Sequence, residues 1–431
     1  MRTTSNFLRA GRRWWTGPFA GLLALAPVVL MVQAGATPLA VTSPSPIVAA
    51  SPSVAASPAA PVVPNSARPS PVVTVSPSVS PSGTATAAPP RPSRFTMAFT
   101  GDILVHQALW ERAASMAEGS ARFDFRPMFA PLRPVIASAD LAICHLETSL
   151  SPDDHDLASY PTFEAPHEVA GAIAWAGYEG CSTASNHSLD GGSEGVRATL
   201  AWLDRARLGH AGTARTAAEA ARIATYEVEG AAVAHLSYSW GFNGFTPDEP
   251  WRANRIAVSR VVADAHRARK AGADLVVVSL HWGVEYMHDP TAWQRDVAER
   301  LTRSGAIDLI VGHHAHVVQP VARIHGTWVA FGLGNILSGM TASLGTEAVA
   351  DGMVLMAEAR RSRRDWTIGA VSFVPTRVEY GTWRVLPVAR TLALHRPDPA
   401  MRTELRASWA RTVGAVRLLG SSVSPAGRLP S

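Results

Sequence analysis

The stretch Ile310-Val311-Gly312-His313-His314-Ala315-His316 decides the predicted fold of this chain. It is a short apolar run that ends in a glycine followed by a His-x-His pair. Four earlier apolar runs end in similar polar groups, at Gly101-Asp102, His145-Leu146-Glu147, Asn186-His187 and His281-Trp282. Polar residues after successive buried strands are typical of an α/β sheet whose functional groups lie at the carboxyl ends of its strands. We therefore expect these five strand ends to converge on one site.

Apolar runs alternate with amphipathic segments across most of residues 94–397. The helical pattern is clearest in residues 195–207, where Val196, Leu200 and Leu203 share one face. Strands that alternate with helices predict a sheet covered on both faces, so the predicted fold class is α/β. Beyond residue 317 the pattern becomes strand after strand, which predicts a second sheet packed on the first.

The ends of the chain differ in composition from the predicted domain, 94–397. Residues 1–36 place four arginines before an apolar run at 17–32, which is typical of an export signal peptide or, if uncleaved, of an N-terminal membrane anchor. Residues 37–93 are rich in Pro, Ser and Ala and contain no aromatic residue, so we expect a disordered stalk. In residues 398–431 the arginine excess predicts a short helix and a basic C-terminal tail.

The positive charge of the chain does not indicate nucleic-acid binding. The formal net charge is +5 and the sequence pI is about 9.7. The arginines are scattered rather than clustered on one face or helix, so we expect no nucleic-acid partner. Lys270 is the only lysine, which excludes a P-loop ATPase and would leave a Schiff-base mechanism to Lys270 alone.

The two cysteines, Cys144 and Cys181, lie late in predicted strands. If those strands are neighbours, the thiols can form a disulfide in an exported protein. If the strands are apart, the residues are two buried thiols. The sequence leaves both alternatives open.

The polar groups at the strand ends form a mixed set of carboxylate, amide and imidazole donors. Such a set suits one or two divalent metal ions, with Mn, Zn or Fe the best match to its chemistry. Two metals close together can neutralise a phosphoryl group and activate water. The predicted metal ligands are Asp102, Glu147, Asn186, His281, His314 and His316. His187 remains as the predicted catalytic acid.

In this order, the motifs resemble those of the CapA-type capsule-synthesis family, which is associated with poly-γ-glutamate and whose domain is similar to a calcineurin-type metallophosphoesterase. The matching motifs are Gly101-Asp102, His145-Leu146-Glu147, the segment 185–191, the segments 281–286 and 312–319, and Gly332-Leu333-Gly334-Asn335. The resemblance implies a four-layer α/β/β/α sandwich of metallophosphoesterase type, with the site at the strand ends.

The resemblance also implies a role for each ligand. Asp102 and His316 would bind a first metal, and Glu147 would bridge both metals. The second metal would be bound by Asn186, His281 and His314. His187 would lie over the substrate.

Two positions depart from the family pattern. Leu104 stands where phosphoesterases of this kind carry histidine, and His145 stands where the family carries asparagine. His106 and His145 are therefore each either a ligand or a residue that supports one. Further supporting or pocket positions are Asp190, Glu285, His313 and Asn335.

These features predict an exported, metal-dependent hydrolase of phosphoester type that acts on an anionic envelope polymer or its precursor. The alternative is a non-catalytic surface protein that binds or assembles such a polymer. Leu104 favours the alternative, whereas the Asn186-His187 and His-x-His pairs favour the enzyme. We expect the protein at the cell surface or outside the cell, with membrane contact only through an uncleaved N-terminus.

Overall fold

A computed structural model describes residues 94–362, 365–394 and 397–427; the predicted signal or anchor (1–36) and stalk (37–93) lie outside these ranges. The strands in the described residues are β1 (Arg94–Leu104), β2 (Leu141–Leu146), β3 (Ser149–Leu150), β4 (Glu164–Ala165), β5 (Gly180–Ser182), β6 (Gly209–Ala211), β7 (Ala224–Val228), β8 (Ala231–Ser239), β9 (Leu275–His281), β10 (Leu309–His313), β11 (Val321–Ile324), β12 (Thr327–Ala330), β13 (Asn335–Ser338), β14 (Asp351–Ser362), β15 (Asp365–Val378), β16 (Val385–Pro387) and β17 (Ser424–Pro425).

The helices are α1 (Gln107–Met116), α2 (Arg126–Phe129), α3 (Arg133–Ile136), α4 (Glu168–Ala176), α5 (Gly192–Arg205), α6 (Ala217–Ala220), α7 (Val258–Lys270), α8 (Ala292–Thr302), α9 (Val388–Leu394) and α10 (Pro399–Val416). Two short 3₁₀ turns lie at Ala342–Leu344 and Glu347–Ala350. Across the described ranges, none of these helices combines the length and apolar character needed to cross a bilayer.

The strands form two main sheets. The first has the order β16-β15-β14-β1-β2-β5-β6, with β13 beside β1 and β17 beside β15. The second has the order β11-β12-β10-β9-β8-β7. In the first sheet β1, β2, β5 and β6 are parallel, whereas the pairs β1–β14, β14–β15 and β15–β16 are antiparallel. The short pair β3–β4 stands apart from both sheets.

The prediction that the strands beyond residue 317 build the second sheet is wrong. Of the strands described in that region, only β11 and β12 join the second sheet, while β14 and β15 extend the first sheet from the edge of β1. The second sheet instead consists mainly of the middle strands β7–β10. An apolar pattern identifies a strand, but the choice of partner strand depends on tertiary packing that local sequence does not report.

Three apolar clusters confirm the predicted four-layer α/β/β/α sandwich. The cluster between the sheets joins residues such as Phe99 and Ile143 of the first sheet to Val277 and Val311 of the second. A second cluster packs helices α1–α5 on the outer face of the first sheet. A third packs α7 and α8 on the outer face of the second, against residues such as Val278. Both sheets therefore have a helical outer layer and a shared apolar interior.

Cys144 and Cys181 form a disulfide. They are direct partners in the parallel pair β2–β5, with their Cα atoms 4.4 Å apart. This resolves the alternatives left open by the sequence. The bond ties together two strands whose following residues, Glu147 and Asn186, lie at the predicted site.

The region after Pro397 contains more ordered structure than the predicted short helix. Helix α10 has 18 residues and packs on β14 and β15. Its Arg411 contacts Asp351 (2.5 Å) and Glu404 (3.1 Å), and Ala415 and Val416 join the cluster between the sheets. The helix therefore packs as part of the folded unit.

Candidate metal centre

The carboxyl ends of the two sheets meet around one buried space. In the first sheet Asp102 of β1 lies beside His145 of β2, and in the second His281 of β9 lies beside His313 of β10. Glu147 follows β2 directly. All five side chains are buried. The sequence prediction that these strand ends converge matches this arrangement.

The carboxylate of Glu147 is at the centre of the space. Its Oε1 lies 3.8 Å from Nε2 of His281 and 3.7 Å from Nε2 of His316. Neither oxygen has a hydrogen-bond partner, and burial raises the pKa of Glu147 well above its usual value. A buried carboxylate without a partner is costly. A cation held between these groups removes that cost, so the residues fit a metal.

His281 and Asn186 share one side of the space. Nε2 of His281 lies 2.8 Å from Oδ1 of Asn186, and the ring centroids of His281 and His314 are 4.6 Å apart. Burial lowers the pKa of His281 well below its usual value, and it lowers that of His314 to about 3. Both rings are therefore neutral near pH 7, which is the form of imidazole that binds metals.

Asp102 and His316 occupy the opposite side. Oδ2 of Asp102 lies 3.2 Å from Nδ1 of His316 and accepts a hydrogen bond from the backbone N–H of His314. Burial alone would raise the pKa of Asp102, but its contacts with His313 and His316 outweigh this and lower it. Burial likewise opposes protonation of His316, yet the carboxylates of Glu147 and Asp102 raise its pKa to about 10. The carboxylates thus stabilise positive charge at this position.

At this centre the potential ligand atoms of His, Asp and Glu fall into two groups, and within each group they lie within 4.8 Å of one another. One group contains Asp102, His145, Glu147 and His281, and the other contains Glu147, His314 and His316. Glu147 belongs to both, which suits a bridging ligand. The grouping differs in part from that implied by the family resemblance, because it joins His316 to His314 and Asp102 to His281.

The backbone around the His-x-His pair is strained. His314 and His316 have φ of +87° and +54°, values that residues other than glycine seldom adopt. Close backbone contacts surround them: a Cβ at Gly312 would lie 1.8 Å from the carbonyl oxygen of Phe331, and one at Gly101 would lie 1.9 Å from that of Gly334. The motif glycines are therefore required for the strands to approach closely enough to present their polar neighbours.

Asn335 fixes the orientation of His316. Its Oδ1 lies 3.0 Å from Nδ1 of His316, and its Nδ2 donates to the carbonyl oxygen of Val349 at 2.9 Å. Because the second bond fixes the amide, Oδ1 accepts from Nδ1–H of the imidazole and leaves Nε2 facing Glu147.

His145 supports His281 in a similar way. Its Nδ1 lies 2.7 Å from Oγ of Ser182 and its Nε2 lies 2.9 Å from Nδ1 of His281. Its ring stacks on His313 with the centroids 4.0 Å apart. Both nitrogens of His145 are engaged, so the residue orients His281, whose Nε2 faces Glu147 and Asn186.

His106 does not supply the nitrogen that Leu104 lacks. It is absent from both ligand groups, and its Nδ1 lies 3.2 Å from the backbone N of Gly339. Burial lowers the pKa of His106 to about 4. The residue packs against Phe163. It lines a cavity that opens beside the candidate metal ligands, and Asn186 and His316 line the same cavity.

His187 lies at this cavity, in the turn between β5 and α5. Its Nδ1 is 2.7 Å from Oδ2 of Asp190, and Nδ2 of Asn243 lies 3.5 Å from its Nε2. Nδ2 of Asn186 also donates to Oδ1 of Asn243 at 3.3 Å. The cavity has a volume of about 720 Å³, and Glu285 also lines it. The arrangement presents an imidazole beside the ligand groups.

Sequence reasoning missed Asn243 and Ser182. Asn243 connects His187 to Asn186, and Ser182 contacts His145. Asn243-Gly244 is a turn signal in the sequence, and Asn243 has a φ of +47°. No pattern around either residue indicates its partner.

One family model and several known proteins are similar to this chain. The family model described as "Bacterial capsule synthesis protein PGA_cap" matches residues 96–340. The PGA biosynthesis protein CapA of Bacillus subtilis (strain 168) is 32% identical over 158 residues, covering 36% of this chain and 41% of that protein. The capsule biosynthesis protein CapA of Bacillus anthracis is 27% identical over 255 residues, covering 57% of this chain and 60% of that protein. The chain thus spans less than two thirds of either relative.

Among solved structures, the calcineurin-like phosphoesterase YfkN from Bacillus subtilis is similar with 14% identity and a TM-score of 0.40, covering 74% of this chain and 99% of that chain. The fold assignment rests on the layers described above rather than on this superposition. The family match covers more than half of the chain and includes every predicted metal ligand, from Asp102 to His316. The chain therefore belongs to the bacterial capsule synthesis protein family PGA_cap.

Proposed function

We propose that this protein is an exported, metal-dependent hydrolase of phosphoester type that acts in the synthesis of capsule or another envelope polymer. The observation that carries the proposal is the carboxylate of Glu147, which is buried without a hydrogen-bond partner between the imidazoles of His281 and His316. That arrangement is costly as a structural feature and suits a metal-bridging ligand. The apolar run near the N-terminus supports export.

The ligands for one or two divalent ions would be Asp102, Glu147, Asn186, His281, His314 and His316. When bound, such ions neutralise phosphoryl oxygens and lower the pKa of bound water. Mn, Zn or Fe suits the mixture of nitrogen and oxygen donors. Asn335 and His145 hold His316 and His281 in the orientation that ligation requires.

His187 would donate a proton to the leaving oxygen. Asp190 holds Nδ1 of His187, so Nε2 is the nitrogen available to a substrate in the cavity. Asn243 borders that nitrogen and restricts the ring. An imidazole that is positioned by a carboxylate and faces a cavity is suited to general acid catalysis.

The biological substrate we propose is an anionic envelope polymer or its precursor. The names of the relatives, PGA biosynthesis protein and capsule biosynthesis protein, support this class. One observation favours a second function, that of a non-catalytic binding or assembly factor. Leu104 occupies a ligand position of metallophosphoesterases, and His106 lies outside both ligand groups.

The test uses the full-length protein after dialysis against Mn²⁺. Hydrolysis of bis(p-nitrophenyl) phosphate is compared between wild type, Asn186→Ala and the control Asn254→Ala. Asn254 donates to the carbonyl oxygen of Ser237 and, unlike Asn186, does not line the cavity. The proposal predicts turnover by wild type and by Asn254→Ala, with loss in Asn186→Ala. Stoichiometric metal without turnover would favour the binding factor, and a folded wild type without metal would contradict both the enzyme and its metal cofactor.

A further inference from the structure

One side of the cavity over the candidate metal centre is lined by apolar side chains. Four aromatic residues, Tyr160, Phe163, Phe245 and Tyr286, line it together with Met340 and Leu344. Neither lysine nor arginine is among the described residues that line it, although arginine is abundant in the chain. Glu285 contributes a carboxylate. The one charged imidazole in the lining, that of His316, is already paired with the buried carboxylates of Asp102 and Glu147, so the described lining offers a polyanion no free cationic side chain.

The rim of the cavity exposes large apolar side chains to water. Tyr160 is 79% exposed, Phe245 43% and Leu344 45%. Val284 and Met287, which flank the lining pair Glu285-Tyr286, are 48% and 46% exposed. A cluster of exposed apolar side chains around a concave site marks a binding surface for an apolar partner. The apolar surface therefore continues from the cavity to its rim.

The two kinds of surface divide the site chemically. On the buried side, His, Asn, Asp and Glu side chains can bind a metal, and the bound metal can in turn bind a phosphoryl group. The outer side offers aromatic and aliphatic surface with an acidic residue, so an extended anionic chain would meet Glu285 without a compensating cation. A hydrocarbon chain would bury apolar area on the same residues.

We propose that the substrate is an amphiphilic phosphoester, with its phosphoryl group at the metal centre and its hydrocarbon chain in the apolar cavity. The inference rests on the proposed function, because it takes the phosphoryl site from it. It narrows the substrate from an anionic polymer to a lipid-like phosphoester that serves as precursor or carrier. The volume of about 720 Å³ falls within the usual range of small-molecule sites.

The experiment measures how hydrolysis depends on chain length. The full-length, Mn²⁺-loaded protein is given p-nitrophenyl methyl, butyl and octyl phosphates, each below its micellar concentration. Monomeric substrates are used because the apolar run at residues 17–32 could itself bind vesicles. In each reaction water adds to phosphorus, the P–O bond to nitrophenol breaks, and nitrophenol and the alkyl phosphate leave with the two protons of water.

We expect kcat/KM to rise at least about tenfold from the methyl to the octyl ester, mainly through KM. Full burial of each methylene would contribute up to about fourfold, so a tenfold rise requires only part of the chain to enter the cavity. Leu344→Asp should reduce this dependence on chain length. The matched control, Leu418→Asp, changes a leucine that is 53% exposed and absent from the cavity lining, and it should retain the wild-type dependence.

A binding measurement separates failure of this inference from failure of the proposed function. Titration calorimetry compares methylphosphonate, octylphosphonate and soluble poly-glutamate on the same metal-loaded protein. At least about tenfold tighter binding of octylphosphonate than of methylphosphonate supports the inference even if no ester is hydrolysed, an outcome that would count against the enzyme alone. Equal affinity for the two phosphonates, tighter binding of poly-glutamate, or equal kcat/KM across the esters would overturn it.

Discussion

Two clusters of histidine and acid in this molecule differ in how their polar atoms are satisfied. In the cluster of Asp154, His167 and Glu168, the aspartate accepts the backbone N–H of His167 on Oδ1 and lies 2.8 Å from Nδ1 of the same residue through Oδ2. The ring of His167 stacks on Trp202. Nδ1 of His167 and Oε2 of Glu168 make no hydrogen bond within the protein, but that Nδ1 lies against the Asp154 carboxylate, and the two side chains are 22% and 24% exposed to water.

The second cluster, called here the strand-end cluster, consists of Asp102, His145, Glu147, His281, His314 and His316. Several of its buried polar atoms lack both a close protein partner and access to water. Both oxygens of Glu147 and Nδ1 of His314 are buried without a hydrogen-bond partner. His314 and His316 also adopt a strained backbone. Proximity of histidine and acid is therefore a weak criterion for a metal site. Buried oxygen and nitrogen atoms that could bind a metal and have no protein partner are a stronger criterion.

The largest difference between the clusters should appear when one glutamate in each is made neutral. Glu147→Gln should reduce phosphodiester turnover by about 10⁴-fold, because the bridging charge is lost from a dry site. Glu168→Gln should leave turnover and metal content close to wild type. Turnover assays and metal analysis of both variants check this, and an equal loss in the two variants would contradict the distinction.

Histidine substitutions separate catalysis from metal binding within the same comparison. His187→Asn should lower turnover by about 10²–10³-fold while metal content stays at the wild-type level, because the proposed role of His187 is that of a proton donor and not of a ligand. His167→Asn, in the other cluster, should change neither quantity. Loss of metal from His187→Asn would instead make His187 a ligand.

Hydrogen bonds that orient the ligand side chains should affect metal affinity only in the strand-end cluster. Asn335→Ala removes one of the two oxygens near Nδ1 of His316 and leaves only Oδ2 of Asp102, so it should weaken metal binding by about 10- to 100-fold. Asn335→Asp keeps an acceptor at this position and should bind metal more tightly than Asn335→Ala. Competition against a chelator measures both affinities. An unchanged affinity in Asn335→Ala would show that His316 is oriented without this bond.

The smallest expected effect concerns the pH dependence of stability. Burial raises the pKa of Glu168 from 4.5 to about 7 in the folded protein. The folded state therefore binds this proton more tightly than the unfolded state, so the contribution to stability is present below pH 4.5 and is lost as pH rises to about 7. Between pH 4.5 and pH 7.5 the free energy of unfolding should fall less in Glu168→Gln than in wild type. The difference should be about 1 kcal/mol after allowance for solvent screening. Chemical denaturation at both pH values measures the difference. An equal change in the free energy of unfolding for the two proteins would contradict the prediction.

The strand ends were predictable because their signals are local. The apolar run that ends at His281 and the Gly-His-His-x-His segment each carry strand and donor information in a few residues. The partner of β14 was not predictable, since β14 pairs with β1 across more than 200 residues. The same holds for Asn243, which reaches Asn186 from a separate loop. The predicted metal ligands could be identified from local sequence, whereas the residues that hydrogen-bond to them depend on how distant segments pack.

The proposed function requires that the buried strand-end cluster holds a divalent metal. Equilibrium dialysis of the full-length protein against Mn²⁺ or Zn²⁺, followed by metal analysis, tests it directly on wild type, His281→Ala and His235→Ala. His235 is a buried histidine of the neighbouring strand β8 outside both ligand groups, so it is a matched control. We predict one or two equivalents per chain in wild type and His235→Ala and a clear loss in His281→Ala. Less than one equivalent in folded wild type, or full retention in His281→Ala, would contradict the claim.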